Sequence, residues 1–210
     1  MTSLVYLHGF SSAPGGSKGS FCCAWAESRG IPFHAPDLNL PSFESLTVTA
    51  QVEALEALLV SLPEPPVVAG SSLGGFVATA AVHRGAKVKS LILLAPAFGF
   101  AARRMVTPLW EDYRARGSTA VFHYGEGRLK RLGSALRDDL PHWLGDEAWR
   151  IAAPTTILHG RRDEAVPVSE SETFAARNPS ARLHILDDDH GLLAPASLAL
   201  LASTLEEAFR

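Results

Sequence analysis

Residues 70–74 read Gly-Ser-Ser-Leu-Gly, which puts Ser72 at the centre of a G-x-S-x-G pentapeptide. The apolar run PVVAGS precedes it and an Ala-rich helical pattern follows at once, so Ser72 is expected at the apex of a tight strand-to-helix turn. Such a turn tolerates little bulk two residues before and two after its apex, because strand and helix pass close together there. Gly70 and Gly74 meet that demand. The helix start also aims free backbone N–H groups at the serine hydroxyl, an environment that favours an oxyanion. A dinucleotide-binding G-x-G-x-x-G would need glycine where Ser72 stands. Ser71 has a hydroxyl in the same turn, but register leaves it to local hydrogen bonding.

A serine hydroxyl is a poor nucleophile near neutral pH and needs a histidine to take its proton and an acid to hold that histidine's tautomer. After an elbow of this kind the expected chain order is serine, acid, histidine. "TTILHGRRDEAVP" sets Asp163 in the loop behind a strand, and "LHILDDDHGLLAP" sets His190 in the loop behind the next one. Both loops fall at the C-terminal ends of neighbouring parallel strands, the edge where Ser72 emerges. Glu164 is the nearest rival to Asp163. A helix-capping role for Asp163 is weaker, because Ser169 stands closer to the next helix. His159 and His184 lie inside strands and read as packed histidines. The run Asp187-Asp188-Asp189 reads as loop carboxylates facing solvent in different directions, so no metal site is expected.

An oxyanion needs two N–H donors, one from the residue after the nucleophile and one from the loop after an early strand. Leu73 supplies the first. In "YLHGFSSAPGGSKGS", Gly9 permits the bend that turns the Phe10 amide inward, and His8 is expected to brace the loop by hydrogen bonding. Lys18 lacks the G-x-x-x-x-G-K-[ST] spacing of a phosphate cradle, and a helix starting near Ser17 accounts for it.

The elements that must position these residues alternate. Strands are expected at 4–9, 32–38, 66–71, 89–96, 155–160 and 182–187, with helices at 17–29, 46–61, 72–84, 168–177 and 195–208. That alternation predicts a parallel sheet covered on both faces. Val52, Leu55, Leu58 and Leu59 recur at helical spacing and belong to the core. The interval 98–153 breaks the pattern with a hairpin at 119–130, Gly125 and Gly127 at its turn, one or two helices, and Trp110, Trp143 and Trp149. Its place at the C-terminal edge of the sheet is where caps and pockets are built.

The 210 residues, 47% hydrophobic and 20% charged, suit one domain, and a net charge of −3 with scattered basic residues argues against nucleic acid as a partner. The first ten residues lack a secretory pattern and no apolar run approaches ~18 residues, so a soluble, cytoplasmic protein without membrane attachment is expected. Cys22 and Cys23 are adjacent, which excludes a disulfide framework; each reads as a helical core cysteine.

Together these residues resemble the α/β-hydrolase superfamily over nearly the whole chain. "YLHGFSSAPGGSKG" with "GSSLGG" looks like the small bacterial esterases of the YqiA type. The resemblance implies a minimal α/β-hydrolase: a six-stranded, mostly parallel sheet with helices on both faces and a small cap insertion, lacking the antiparallel strands at the front of longer relatives. It implies a serine carboxylesterase or thioesterase in which Ser72, Asp163 and His190 are catalytic, the Phe10 and Leu73 amides form the oxyanion hole, and no cofactor is used. The tryptophans of the insertion, with Phe98 and Phe100 at its entrance, predict a short, apolar acyl group on a small-molecule ester. The alternatives are a serine hydrolase of C–C or lactone bonds and a non-catalytic binding module.

Overall fold

The computed structural model describes residues 1–105, 108–145 and 149–210. The near-continuous apolar runs form the sheet's central strands: β1 (Leu4–Leu7), β3 (Val67–Ser71), β4 (Ser90–Leu94) and β7 (Thr155–Gly160). Burial on both faces is what such runs need, and nearly every residue in these four strands is buried. β2 (Phe33–His34) and β8 (Ala181–Leu186) are the edges, giving a six-stranded sheet in the order β2-β1-β3-β4-β7-β8. Every pairing in it is parallel. β2 is shorter than the expected 32–38, because Pro36 has no N–H to donate to the ladder.

Alternate strand residues point to opposite faces. On one face Val5, Leu7, Val68, Leu91, Leu93 and Ile157 pack under α2 (Val48–Ser61), α3 (Leu73–His83) and α7 (Val168–Arg177). On the other, Leu4, Tyr6, Val67, Ala69, Ile92 and Leu94 pack under α1 (Ser17–Glu27) and α8 (Pro195–Phe209). Cys22 is buried in that second layer and Cys23 is half-buried, both as free thiols. α2 starts where the Thr47 hydroxyl accepts from the Ala50 N–H at 3.0 Å, and it buries Val52, Leu55 and Leu59, with Leu58 at the margin.

Residues 98–153 hold α4 (Phe100–Met105), α5 (Pro108–Arg116), an antiparallel hairpin of β5 (Ser118–His123) and β6 (Arg128–Gly133), and α6 (Ser134–Asp139) followed by a 3₁₀ turn. The hairpin tip rests on the loop after β1, where the Tyr124 N–H donates to Ser11 O at 2.7 Å. Trp143 and Trp149 pack edge-on and tilted against Phe76 of α3, inside the main core and away from the Ser72 cavity. The side chain of Trp110 lies outside the described residues. No helix among the described residues is long and apolar enough to cross a membrane.

The strand order reverses between β1 and β3: the chain moves outward from β1 to β2, then crosses back to β3 and on through β4, β7 and β8. Loops at such a reversal diverge to opposite faces and leave a crevice at the C-terminal edge of the sheet. The loop after β1 carries Phe10, and the turn after β3 carries Ser72.

Candidate active site

Ser72 has φ 54° and ψ −118°, a left-handed backbone that a non-glycine residue adopts only when its surroundings enforce it. They do. The Ser72 N–H donates to Leu94 O at 2.9 Å, and Ser72 O accepts from the Gly75, Phe76 and Ala97 N–H groups. The neighbouring glycines leave no room for a side chain: a Cβ on Gly70 would sit 2.5 Å from Gly74 O, and one on Gly74 only 2.3 Å from Leu7 O. Ser11, Ala95 and Leu192 also have positive φ, each in a loop at this edge of the sheet.

Ser72 and His190 line one cavity of about 770 Å³, with Gly9, Phe10, Lys18, Ser71, Phe100 and Arg104 among its walls. His190 Nδ1 donates to Asp163 Oδ2 at 2.7 Å; the Asp163 side chain is buried and the imidazole is 31% exposed. This is the pairing expected from their two loops. Asp163 does more than orient His190, since its Oδ1 accepts from the Ala165 and Val166 N–H groups at 2.9 and 2.8 Å. Burial alone would raise its pKa, but hydrogen bonds from His159, His190 and Val166 hold it well below the usual carboxylate range. Glu164 is exposed and lies outside the cavity.

His159 is packed, as its strand position suggested, but its contacts reach the site. Its Nε2 lies 3.0 Å from Val166 O and 3.2 Å from Asp163 Oδ2, so that nitrogen carries the proton, and Nδ1 accepts from Ser171 Oγ at 2.7 Å. The fully buried imidazole thus reaches the same Asp163 oxygen that His190 does. His8 braces its loop: Nδ1 donates to Gly9 O at 2.8 Å and Nε2 accepts from the Leu38 N–H at 2.9 Å.

Phe10 lines the cavity from the loop after β1, and Leu73 follows Ser72 as the first residue of α3. Among the described residues, neither N–H has a protein acceptor within hydrogen-bond reach.

One expectation needs extending and two need correction. Lys18 does more than open a helix: its Nζ donates to the His190 and Gly191 carbonyls at 3.2 and 2.9 Å, clamping the histidine loop to α1. Burial lowers the Lys18 pKa to about 8, against the pull of Asp163, Asp189 and Asp188. Asp188 does not face solvent. It is buried, and its Oδ2 accepts from Ser197 Oγ at 2.6 Å and the Ala194 N–H at 2.9 Å, tying the same loop to α8. Phe98 is not at the entrance either, since it stacks on Phe174 with ring centroids 4.1 Å apart, whereas Phe100 does line the cavity. Each correction depends on which way a side chain turns, and residue type does not carry that information.

A family model described as "Uncharacterised protein family (UPF0227)" matches residues 3–196. The pimeloyl-[acyl-carrier protein] methyl ester esterase of Aromatoleum aromaticum is 30% identical over 174 residues, covering 63% of this chain and 69% of that protein. The mitochondrial palmitoyl-protein thioesterase ABHD10 of Mus musculus is 29% identical over 152 residues, covering 68% of this chain and 51% of that protein, so the match spans about half of the relative. The solved structure of mouse alpha/beta hydrolase domain-containing protein 10 superposes with a TM-score of 0.80 at 25% identity, covering 99% of this chain and 89% of that one. The architecture is that of an α/β-hydrolase.

Proposed function

We propose that this chain, which belongs to the uncharacterised protein family UPF0227, is a serine esterase or thioesterase acting on small-molecule acyl esters. The observation that carries the reading is a strained serine at a strand-to-helix apex, sharing a cavity with a histidine held by a buried carboxylate. The esterase and thioesterase names of two relatives support the same chemistry.

In this reading His190 Nε2 takes the Ser72 proton as Oγ attacks the ester carbonyl carbon. The carbonyl π pair moves to oxygen, and the Leu73 and Phe10 N–H groups stabilise the oxyanion. Asp163 keeps the proton on His190 Nδ1 and stabilises the imidazolium. As the tetrahedral intermediate collapses, the carbon–oxygen or carbon–sulfur bond breaks and His190 returns its proton to the departing alkoxide or thiolate. Water, deprotonated by His190, then attacks the acyl-enzyme, releasing the carboxylic acid and restoring Ser72. Segment 98–153 serves as the cap, contributing Phe100, Arg103, Arg104 and Tyr124 to the cavity wall.

Labelling with a fluorophosphonate probe, with mass spectrometry of the modified peptide and assay of p-nitrophenyl esters of rising chain length, tests this. Stoichiometric labelling at Ser72 with ester turnover is expected. A folded sample that neither labels nor turns over refutes the reading.

A further inference from the structure

Asp163 receives more donors than orienting one histidine requires. His190 Nδ1 donates to Oδ2, and the Ala165 and Val166 N–H groups converge on Oδ1. His159, near the end of β7, adds a further contact, its Nε2 lying 3.2 Å from the same Oδ2. The Asp163 side chain has no exposure to solvent, so protein N–H groups alone surround its charge.

His159 is itself fixed. Its imidazole is fully buried, and Nδ1 accepts from the hydroxyl of Ser171, a fully buried residue of α7, which leaves the ring proton on Nε2. That N–H is shared between Val166 O at 3.0 Å and Asp163 Oδ2. The Val166 N–H in turn donates to Asp163 Oδ1, so His159, Val166 and the acid close a ring. Filling space between β7 and α7 calls only for volume. Here both ring nitrogens have partners, and one partner is the buried anion that holds His190.

We propose that His159 is a positioning residue for the hydrolysis, fixing Asp163 Oδ2 and, through it, the ring of His190. This rests on the esterase reading of the same site. During turnover His190 Nε2 takes the Ser72 proton and returns it, while Nδ1–H stays on Asp163. The imidazole therefore gains and loses a positive charge beside Oδ2. An oxygen held by His190 alone would follow that ring, whereas one held also by His159 and the turn stays in place.

The test has a turnover arm and a spectroscopic arm that needs no turnover. His159→Leu removes the donor at similar volume and should lower kcat for p-nitrophenyl acetate about tenfold to hundredfold, the scale of one hydrogen bond to a charged group, with KM within about threefold. His159→Gln, whose amide N–H reaches a similar position, should recover most of that loss. Nuclear magnetic resonance of wild type with isotope-labelled histidine follows both rings from about pH 7.5 to 5, below the range in which Lys18 titrates. The His159 Nε2–H resonance should move with the same midpoint as the His190 ring, a readout that stands even where a His159 variant does not fold. Wild-type kcat in His159→Leu, no recovery in a folded His159→Gln, or a His159 resonance that stays fixed while His190 titrates overturns the proposal. Coupled resonances in a wild-type protein that turns over no ester overturn the esterase reading alone.

Discussion

Gly74→Ala is the sharpest single perturbation of the site. The added Cβ would lie 2.3 Å from Leu7 O, 2.6 Å from Leu7 C and 2.7 Å from His8 O. All three are backbone atoms, so no rotamer change relieves the overlap. Reaching even a 3.0 Å contact requires the start of α3 and the end of β1 to separate by about 0.7 Å. Overpacking of this kind costs about 1–3 kcal/mol. Because Gly74 lies in a helix, alanine returns up to ~1 kcal/mol of propensity. The net expectation is a loss of roughly 1–2 kcal/mol, small enough for the variant to fold. Activity should suffer more than stability, because the two elements forced apart carry the two amides assigned to the oxyanion. A donor displaced by this much leaves its useful range, and a misplacement near 1 Å can cost about 10²-fold in rate. The assay is the second-order rate of fluorophosphonate labelling at Ser72, with urea unfolding of the same samples. Gly15→Ala is the control, because its Cβ would meet nothing within 4 Å. A Gly74→Ala protein that labels at the wild-type rate with unchanged stability would refute the argument.

Three further outcomes follow from the same geometry. Asp163→Asn should lower kcat/KM by about 10³- to 10⁴-fold, because an amide no longer favours the proton on His190 Nδ1. Glu164→Gln should leave activity within about threefold, and the reverse pattern would move the acid role to Glu164. Asp163 also shapes acid stability: its carboxyl titrates lower in the fold than in the unfolded chain, so its contribution is present above about pH 4 and lost as pH falls. Urea midpoints between pH 6 and pH 3 should drop less steeply in Asp163→Asn than in wild type, and equal slopes would contradict the assignment. For Lys18 the slope has the same sign in a higher pH window: its folded value of about 8 lies below the ordinary 10.5, so between them the unfolded chain holds a proton the native one has shed. Wild type should therefore gain stability relative to Lys18→Met as pH rises from 7 to about 9.5, and a constant difference would show that Nζ is not desolvated.

What could be read from the sequence is what local chemistry dictates. Ser72 was legible because a strained strand-to-helix apex needs Gly70 and Gly74 within two residues on either side, and the strands of the sheet announced themselves as unbroken apolar runs. Asp163 and His190 were legible because each follows its strand directly, so topology alone brings their loops to one edge. The second support of Asp163 by His159, the Lys18 clamp on the His190 loop, and the packing of Arg104 on Phe10 were not. The clamp joins Lys18 to His190, 172 positions away, and nothing in the local pattern around Lys18 says which way its side chain turns. Aromatic content in 98–153 misled for the same reason, because Trp143 and Trp149 were counted toward the pocket yet pack on Phe76. A six-residue helix such as α4 is too short for its periodicity to orient a face, so whether Arg104 points to solvent or into the cavity is decided only by tertiary packing. The division has a functional consequence. In the proposed reading bond cleavage rests on Ser72, Asp163 and His190, which local constraints fix, whereas the cavity wall around them is set by contacts across the fold, so a chain could keep the three while changing what it cleaves.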